Sequence, residues 1–212
     1  MSLRPPRAAT LMIDGPAGVL EALLEQPQDA SPAAFAVVCH PHPLHGGNMH
    51  NKVVFTVARA CQERGMPTLR FNFRGVGAST GSYDEGRGEI QDALAVVAAG
   101  RARWPQAALT LAGFSFGGMV SLAAAAAAVP TRLISVAPAV SLAAFASIAR
   151  PACPWLIVQG DADEVVDARE VQAFAARFSP PPQLVLLAGV GHFFHRRLDQ
   201  LRDAAIAFLA TA

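Results

Sequence analysis

Short apolar runs alternate with longer, mixed polar and apolar segments along most of the 212-residue chain. The runs are rich in β-branched and other apolar residues and are of strand length, whereas the segments between them are of helix length. The runs predict strands at residues 34–40, 67–73, 108–114, 133–138, 155–160 and 183–189. The intervening segments predict helices at residues 51–62, 89–100, 116–128, 167–178 and 193–209.

A strict alternation of strand and helix predicts a mostly parallel, doubly wound sheet with helices on its faces. Upstream of it, residues 10–27 predict two strands that turn at Asp14, Gly15 and Pro16, an antiparallel hairpin at the sheet edge. Neither a repeat nor a charge block nor a linker divides the sequence. We therefore expect residues 1–212 to form a single α/β domain.

The composition argues against two classes of partner. Lys and Arg number 17 against 16 Asp and Glu, a formal net charge of +1, which offers no basic surface for nucleic acid or an anionic membrane. The cysteines Cys39, Cys61 and Cys153 are widely spaced, which favours a reducing compartment over a disulfide framework. The N-terminal residues lack the apolar core of a signal peptide. We expect a cytoplasmic protein with no membrane partner.

A serine lies in the pentapeptide Gly-Phe-Ser-Phe-Gly at residues 113–117, where a predicted strand meets a predicted helix. A serine at such a turn takes a strained backbone conformation that lifts its hydroxyl into a cleft. The flanking positions must be small, because a Cβ there would collide with neighbouring backbone. The same glycines could instead allow close helix–strand packing, as in a dinucleotide-binding turn. The strand–turn–helix context favours Ser115 as a nucleophile.

A serine nucleophile needs an imidazole that removes its proton and an acid that orients the imidazole. Both are expected on loops after later strands, in the order serine, acid, histidine. His192 follows the last predicted strand directly, whereas His195 should already lie within the terminal helix. For the acid we prefer Asp163, with Asp161 as the rival and Glu164 as the third choice.

Four of the six histidines fall within residues 40–50, HPHPLHGGNMH. A metal-dependent hydrolase built on this cluster is an alternative to the serine mechanism. Zinc sites need three or four ligands, usually with a carboxylate or a cysteine, and this segment contains no acid. Its two prolines also restrict how the imidazoles can converge. We expect no metal here.

Taken together, these motifs resemble those of the α/β-hydrolases. GFSFG at 113–117, GDADEVV from Gly160 and GHFF from Gly191 occur in that family's order, and the resemblance extends over nearly the whole chain. HPHPLHGGNM combined with RFNFRGVGASTG is similar to small bacterial members that resemble carboxylesterases and dienelactone hydrolases. The resemblance implies a triad without a cofactor, formed by Ser115, Asp163 and His192.

The resemblance also implies an oxyanion hole made of two backbone N–H groups. One belongs to the residue after the nucleophile, Phe116. The other comes from a loop usually written His-Gly-x, which begins here with His40 and a proline in place of glycine. That register assigns the second donor to His42. The following residue is a proline without an N–H, so Leu44 is the alternative if the register shifts.

Many relatives insert a helical lid between the fourth and fifth predicted parallel strands. Here only residues 139–154 lie between them, too few for a lid domain. The resemblance therefore implies an open cleft. Arg74, in the segment RFNFRGVGASTG, is expected to hold loops together rather than touch substrate. The cleft is expected to be lined by Phe114, Phe116, Phe193, Leu44 and residues 139–145.

The expected function is that of a carboxylesterase-like serine hydrolase, which cleaves a small or short-acyl carboxylic ester through an acyl-enzyme. The partner would be this small-molecule ester, and a monomer is compatible with the sequence. Thioesterase and peptidase activities use the same triad. A non-catalytic binding protein is a further alternative, because a fold does not fix a function.

Overall fold

The computed structural model describes residues 7–27, 32–142, 145 and 148–211. Within them, one sheet of eight strands is combined with five α-helices. The strands are β1 (Arg7–Gly15), β2 (Gly18–Gln26), β3 (Ala34–Cys39), β4 (Thr68–Phe71), β5 (Ala108–Phe114), β6 (Arg132–Val136), β7 (Trp155–Gly160) and β8 (Gln183–Leu187). The helices are α1 (Lys52–Glu63), α2 (Arg87–Arg103), α3 (Phe116–Ala128), α4 (Ala168–Ala176) and α5 (Leu198–Ala210).

The strand order is β1-β2-β4-β3-β5-β6-β7-β8. The strands from β3 to β8 pair in parallel, whereas β1 pairs with β2, and β2 with β4, in the antiparallel direction. Gly15 pairs with Gly18 at the end of the β1–β2 hairpin, which lies at one edge of the sheet. The predicted fold class is confirmed, including the antiparallel hairpin.

The sheet is buried on both faces, which explains why its central strands are apolar runs rather than alternating sequences. In β3, Phe35 and Val37 belong to one hydrophobic cluster and Ala36 and Val38 to the other. The first cluster includes side chains of α2, α3 and α4, and the second includes side chains of α1 and α5. Helices therefore cover both faces, and the loops after the parallel strands meet along one edge.

The terminal helix begins later than predicted. It starts at Leu198, and residues 193–197 form turns in which Phe194 and Arg196 have positive φ angles of 51° and 59°. The prediction that His195 lies within this helix is wrong, because these two left-handed residues interrupt helical geometry on both sides of it. The other predicted helices and strands occur with ends shifted by a few residues.

Between β6 and β7, the described residues form neither a strand nor an α-helix. The prediction that no lid domain is inserted there is confirmed; residues 143 and 144 of the predicted cleft loop lie outside the described residues. In the part of the chain that the structure covers, no helix is long and apolar enough to cross a lipid bilayer.

Candidate active site

Ser115 is the single residue between β5 and α3. Its φ and ψ angles are 55° and −118°, a strained backbone conformation for a residue with a Cβ. The chain can approach itself so closely only because the flanking residues are glycines. A Cβ on Gly113 would lie 2.0 Å from the Gly117 carbonyl oxygen, and one on Gly117 would lie 2.3 Å from the His40 carbonyl oxygen. The tight turn places the serine hydroxyl at the start of α3.

His192 lies in the loop after β8, and its side chain is almost fully buried. Its Nε2 lies 3.1 Å from Ser115 Oγ, and its Nδ1 lies 2.8 Å from Asp163 Oδ2. An ionised carboxylate can only accept hydrogen bonds, so Nδ1–H donates to Asp163 and Nε2 is left to accept from the serine hydroxyl. Ser115, His192 and Asp163, predicted from the sequence as a set, thus form one chain of hydrogen bonds.

The Asp163 carboxylate accepts four hydrogen bonds. Oδ1 accepts the backbone N–H groups of Val165 and Val166, each at 2.8 Å, and Oδ2 accepts from His192 and from the Gln159 amide. Burial by itself raises the pKa of the Asp163 carboxyl, but the hydrogen bonds from His192 and from the two backbone groups outweigh it and leave that pKa lowered. Asp163 is therefore ionised at neutral pH and fixed in orientation.

The two alternative acids, Asp161 and Glu164, accept hydrogen bonds from backbone N–H groups. Asp161 Oδ1 accepts the backbone N–H of Gly189 at 2.6 Å, which ties the end of β7 to the loop after β8. Glu164 Oε2 accepts the backbone N–H of His192 at 3.2 Å. Each carboxylate orders the loop that carries His192, and neither hydrogen-bonds to its imidazole.

His195 is not part of this constellation. Its ring is hydrogen-bonded to Lys52 Nζ, at 2.6 Å from Nδ1, in an exposed contact between α1 and the loop before α5. Because Lys Nζ only donates hydrogen bonds, His195 Nδ1 accepts in this contact.

The histidine-rich loop after β3 is organised by hydrogen bonds of its imidazoles. His40 is fully buried; its Nδ1–H donates to the Pro41 carbonyl at 2.6 Å, and its Nε2 accepts the Phe73 backbone N–H at 3.0 Å. Burial lowers the pKa of His40 to about 4, although the hydrogen bond to Pro41 opposes this. A neutral His40 therefore links this loop to the chain that follows β4.

His42 is also fixed in one tautomer. Its Nδ1 accepts the Leu44 backbone N–H at 3.3 Å, so in neutral His42 the proton is on Nε2, which lies 3.2 Å from the Tyr83 hydroxyl. Burial, followed by the charge of His45, lowers the pKa of His42, which keeps it neutral. The described residues contain no group of three or more His, Cys, Asp or Glu side chains placed to hold a metal ion.

The backbone N–H groups of Phe116, the residue after Ser115, and of His42 have no acceptor within the described residues. The Leu44 N–H, by contrast, is occupied by His42 Nδ1. The His42 ring packs 5.0 Å from that of Phe116, which brings the loop after β3 against the start of α3. Phe116 and His42, predicted as a pair of donors, are thus neighbours in the structure.

The predicted cleft residues fall into two groups. Leu44 and Phe193 are exposed, at 68% and 38%, on the loops that carry His42 and His192. Phe114 and Phe116 are fully buried, so the prediction that they line an open cleft is wrong. Side chains alternate along β5, and Phe114 therefore shares the buried face of Ala112. Its ring packs against the His192 imidazole, at 4.9 Å between ring centres.

Arg74 holds loops together, as predicted. Its guanidinium donates to Asp92 Oδ1 at 2.7 Å and to the Gly88 carbonyl at 2.8 Å, which fastens the segment after β4 to α2.

Two residues of the site region were missed by the sequence-based reasoning, Gln159 and Tyr83. Gln159 is the one polar side chain in the apolar run WLIVQG, and Tyr83 is the only tyrosine of the chain. A buried polar residue near the end of a strand is a signal that could have identified Gln159.

A serine at the strand–helix turn, followed along the chain by an acid and then a histidine on loops after later parallel strands, defines the α/β-hydrolases. The sequence model of the family described as serine aminopeptidase, S33, matches residues 36–152. The chain belongs to this family and, with it, to the α/β-hydrolase superfamily.

Similar proteins agree with this classification. A Xanthomonas campestris protein described as an α/β serine hydrolase without a lid is 45% identical, with a TM-score of 0.91 over 99% of this chain and 96% of that one. An α/β serine hydrolase homologue from Coxiella burnetii is 48% identical, also with a TM-score of 0.91, over 95% and 97% of the two chains. An uncharacterised protein of Rickettsia prowazekii is 32% identical over 211 residues, 95% of this chain and 88% of that protein.

Proposed function

We propose that this serine hydrolase cleaves a small or short-acyl carboxylic ester through an acyl-enzyme on Ser115. The observation that carries the proposal is the unbroken hydrogen-bond chain from Ser115 Oγ through His192 to Asp163, at 3.1 and 2.8 Å. Such a chain gives an otherwise weak nucleophile a base at hydrogen-bond distance and gives that base a fixed tautomer.

In the first half-reaction, Ser115 Oγ attacks the ester carbonyl carbon while His192 Nε2 takes the hydroxyl proton. The imidazolium then gives that proton to the departing alkoxide, and the acyl group stays on Ser115. In the second half-reaction, water attacks the acyl carbon, and its proton passes through His192 back to Ser115 Oγ as the carboxylic acid leaves. Asp163 stays ionised throughout, which its lowered pKa supports.

We assign the oxyanion hole to the backbone N–H groups of Phe116 and His42. Both are free of acceptors among the described residues, and Phe116 is the first residue of α3, where the helix dipole favours negative charge. Leu44 was the alternative to His42. Its N–H already donates to His42 Nδ1 at 3.3 Å, which favours His42.

Replacing His42 by proline tests this assignment, because proline removes the N–H. The His42 φ angle of −52° lies within the range of proline, so the backbone can keep its conformation. His42→Ala is the matched control, since it loses the ring but keeps the N–H. We expect kcat for p-nitrophenyl acetate to be ~10²–10³-fold lower in His42→Pro than in His42→Ala. Equal rates in the two variants would contradict the assignment.

A small or short-acyl substrate is supported by the absence of a lid between β6 and β7 in the described residues. Leu44 and Phe193 offer exposed apolar surface on the loops beside Ser115. That surface suits a short acyl chain, and the described residues between β6 and β7 include no α-helix that would cover a long one.

A series of p-nitrophenyl esters of rising acyl length checks this proposal. We expect kcat/KM to be highest for the acetate or butyrate and at least ~10-fold lower for the laurate. Thioesters of the same acids and an aminoacyl p-nitroanilide belong in the same series, because the triad also suits these substrates and the matching family is described as a serine aminopeptidase. A preference for the laurate or the anilide would contradict the proposal.

A further inference from the structure

Gln159 is a polar residue in the otherwise apolar strand β7. Its side chain is fully buried, and its amide Nε2 lies 2.9 Å from Asp163 Oδ2, 3.1 Å from the Gly160 carbonyl and 3.2 Å from the Val166 carbonyl. Its Oε1 has no hydrogen-bond partner among the described residues. All three neighbouring acceptors lie around Nε2, and no donor of the described residues hydrogen-bonds to Oε1.

This pattern fixes how the amide is oriented. If the amide were rotated by 180°, Oε1 would face one carboxylate and two carbonyl oxygens, with no proton between them. A buried acceptor without a partner is destabilising, so the Oε1 of Gln159 does not account for a polar residue at this position. The N–H groups of Gln159 are the feature that an apolar residue would lack.

We propose that Gln159 is a positioning residue for the catalytic acid, an inference that rests on the function proposed above. Its Nε2–H and His192 Nδ1–H share Asp163 Oδ2, while two backbone N–H groups hold Oδ1. The four donors leave the carboxylate one orientation, with Oδ2 toward the imidazole. Gln159 does not touch the reacting atoms, and its effect on them passes through the Asp163 carboxylate.

Gln159→Met keeps the length of the side chain and removes both the donor and the unpartnered acceptor. We expect kcat for p-nitrophenyl acetate to fall ~10–100-fold, the range in which groups that orient an active-site ligand act. KM should change by less than ~2-fold, because an interaction that matters only in the transition state lowers kcat and not KM. The melting temperature should stay within ~4 °C of wild type.

Thr110→Val is the matched control. Thr110 is similarly buried in the parallel strand β5, which β6 separates from β7. Its hydroxyl donates to Met66 Sδ and not to Asp163. This variant should retain the wild-type kcat. Gln159→Leu serves as a second variant if Gln159→Met does not fold.

A double-mutant cycle with Asp163→Ala separates positioning from a general structural role. If Gln159 acts through Asp163, Gln159→Met lowers kcat in the wild type and has no further effect once the carboxylate is absent. An equal loss in both backgrounds, or no loss in either, overturns the inference. If Asp163→Ala itself leaves kcat unchanged, the proposed triad fails instead, so the two failures are distinguishable.

Discussion

Hydrolysis of p-nitrophenyl acetate is expected to lose ~10⁶-fold in kcat when Ser115 is replaced by alanine. The reason is that the Ser115 hydroxyl, which donates to His192 Nε2 at 3.1 Å, is the nucleophile that this base activates. His192→Ala should cause a loss of similar size, because the hydroxyl then has no base. The double variant should be no worse than either single one, since the groups act as a unit.

Two matched controls accompany these variants. Ser121 is a buried serine of α3, the helix that follows Ser115, and its hydroxyl donates to the Gly118 carbonyl. His195 is the histidine nearest to His192 in sequence and is hydrogen-bonded to Lys52. Ser121→Ala and His195→Ala should keep kcat within ~10-fold of wild type, as substitutions outside the reacting groups do. Hydrolysis that survives Ser115→Ala and is abolished by a chelator would instead favour the metal-dependent alternative.

The second large effect concerns the acid. Asp163→Asn should lower kcat ~10⁴-fold, because an amide at this position no longer selects the Nδ1–H tautomer of His192. Asp161→Asn preserves an oxygen for the Gly189 N–H, 2.6 Å away in the wild type, and should cost little. Glu164→Gln likewise preserves an acceptor for the His192 N–H.

Steady-state kinetics of the three variants, with circular dichroism to check folding, decides among the acids. A large loss in Asp161→Asn together with near-normal activity in Asp163→Asn would show that the acid had been assigned to the wrong residue. A loss of similar size in all three variants would indicate damage to the loops rather than removal of one catalytic group.

The fold class could be predicted from the sequence because the signal is repeated along the chain. Each buried parallel strand is a short apolar run and each crossover a helix-length segment, so an error at one boundary does not change the pattern. The β1–β2 hairpin was equally accessible, since Asp14, Gly15 and Pro16 mark its turn. The start of α5 could not be predicted, because the left-handed conformations there are adopted by Phe194 and Arg196 rather than by glycines, which would have indicated a turn.

The members of the candidate triad could also be found from the sequence, because each follows the end of a predicted strand in a fixed order. Their roles remain a proposal. Contacts that depend on tertiary packing were less accessible. The burial of Phe114 follows from which face of β5 lies against α1 and α5, and the hydrogen bond between Gln159 and Asp163 depends on how the loop after β7 folds back. The sequence gives no direct reading of either.

The role of the histidine-rich loop, residues 40–50, also depended on tertiary contacts. The four imidazoles within residues 40–50 raised the alternative of a metal site. In the structure, His40 and His42 instead form hydrogen bonds that fix the conformation of this loop. His40 uses both ring nitrogens to join the loop to the Pro41 carbonyl and the Phe73 N–H. His42 uses its own for the Leu44 N–H and the Tyr83 hydroxyl.

The central claim is that Ser115 is the nucleophile, and covalent labelling tests it most directly. The protein is treated with a fluorophosphonate probe, with and without a chelator, and the modified peptide is located by mass spectrometry. We predict one probe molecule per chain, attached to Ser115, with a labelling rate that the chelator does not change and that falls sharply in His192→Ala. Absence of labelling in a folded protein that still hydrolyses the ester, or labelling at another residue, would contradict the claim.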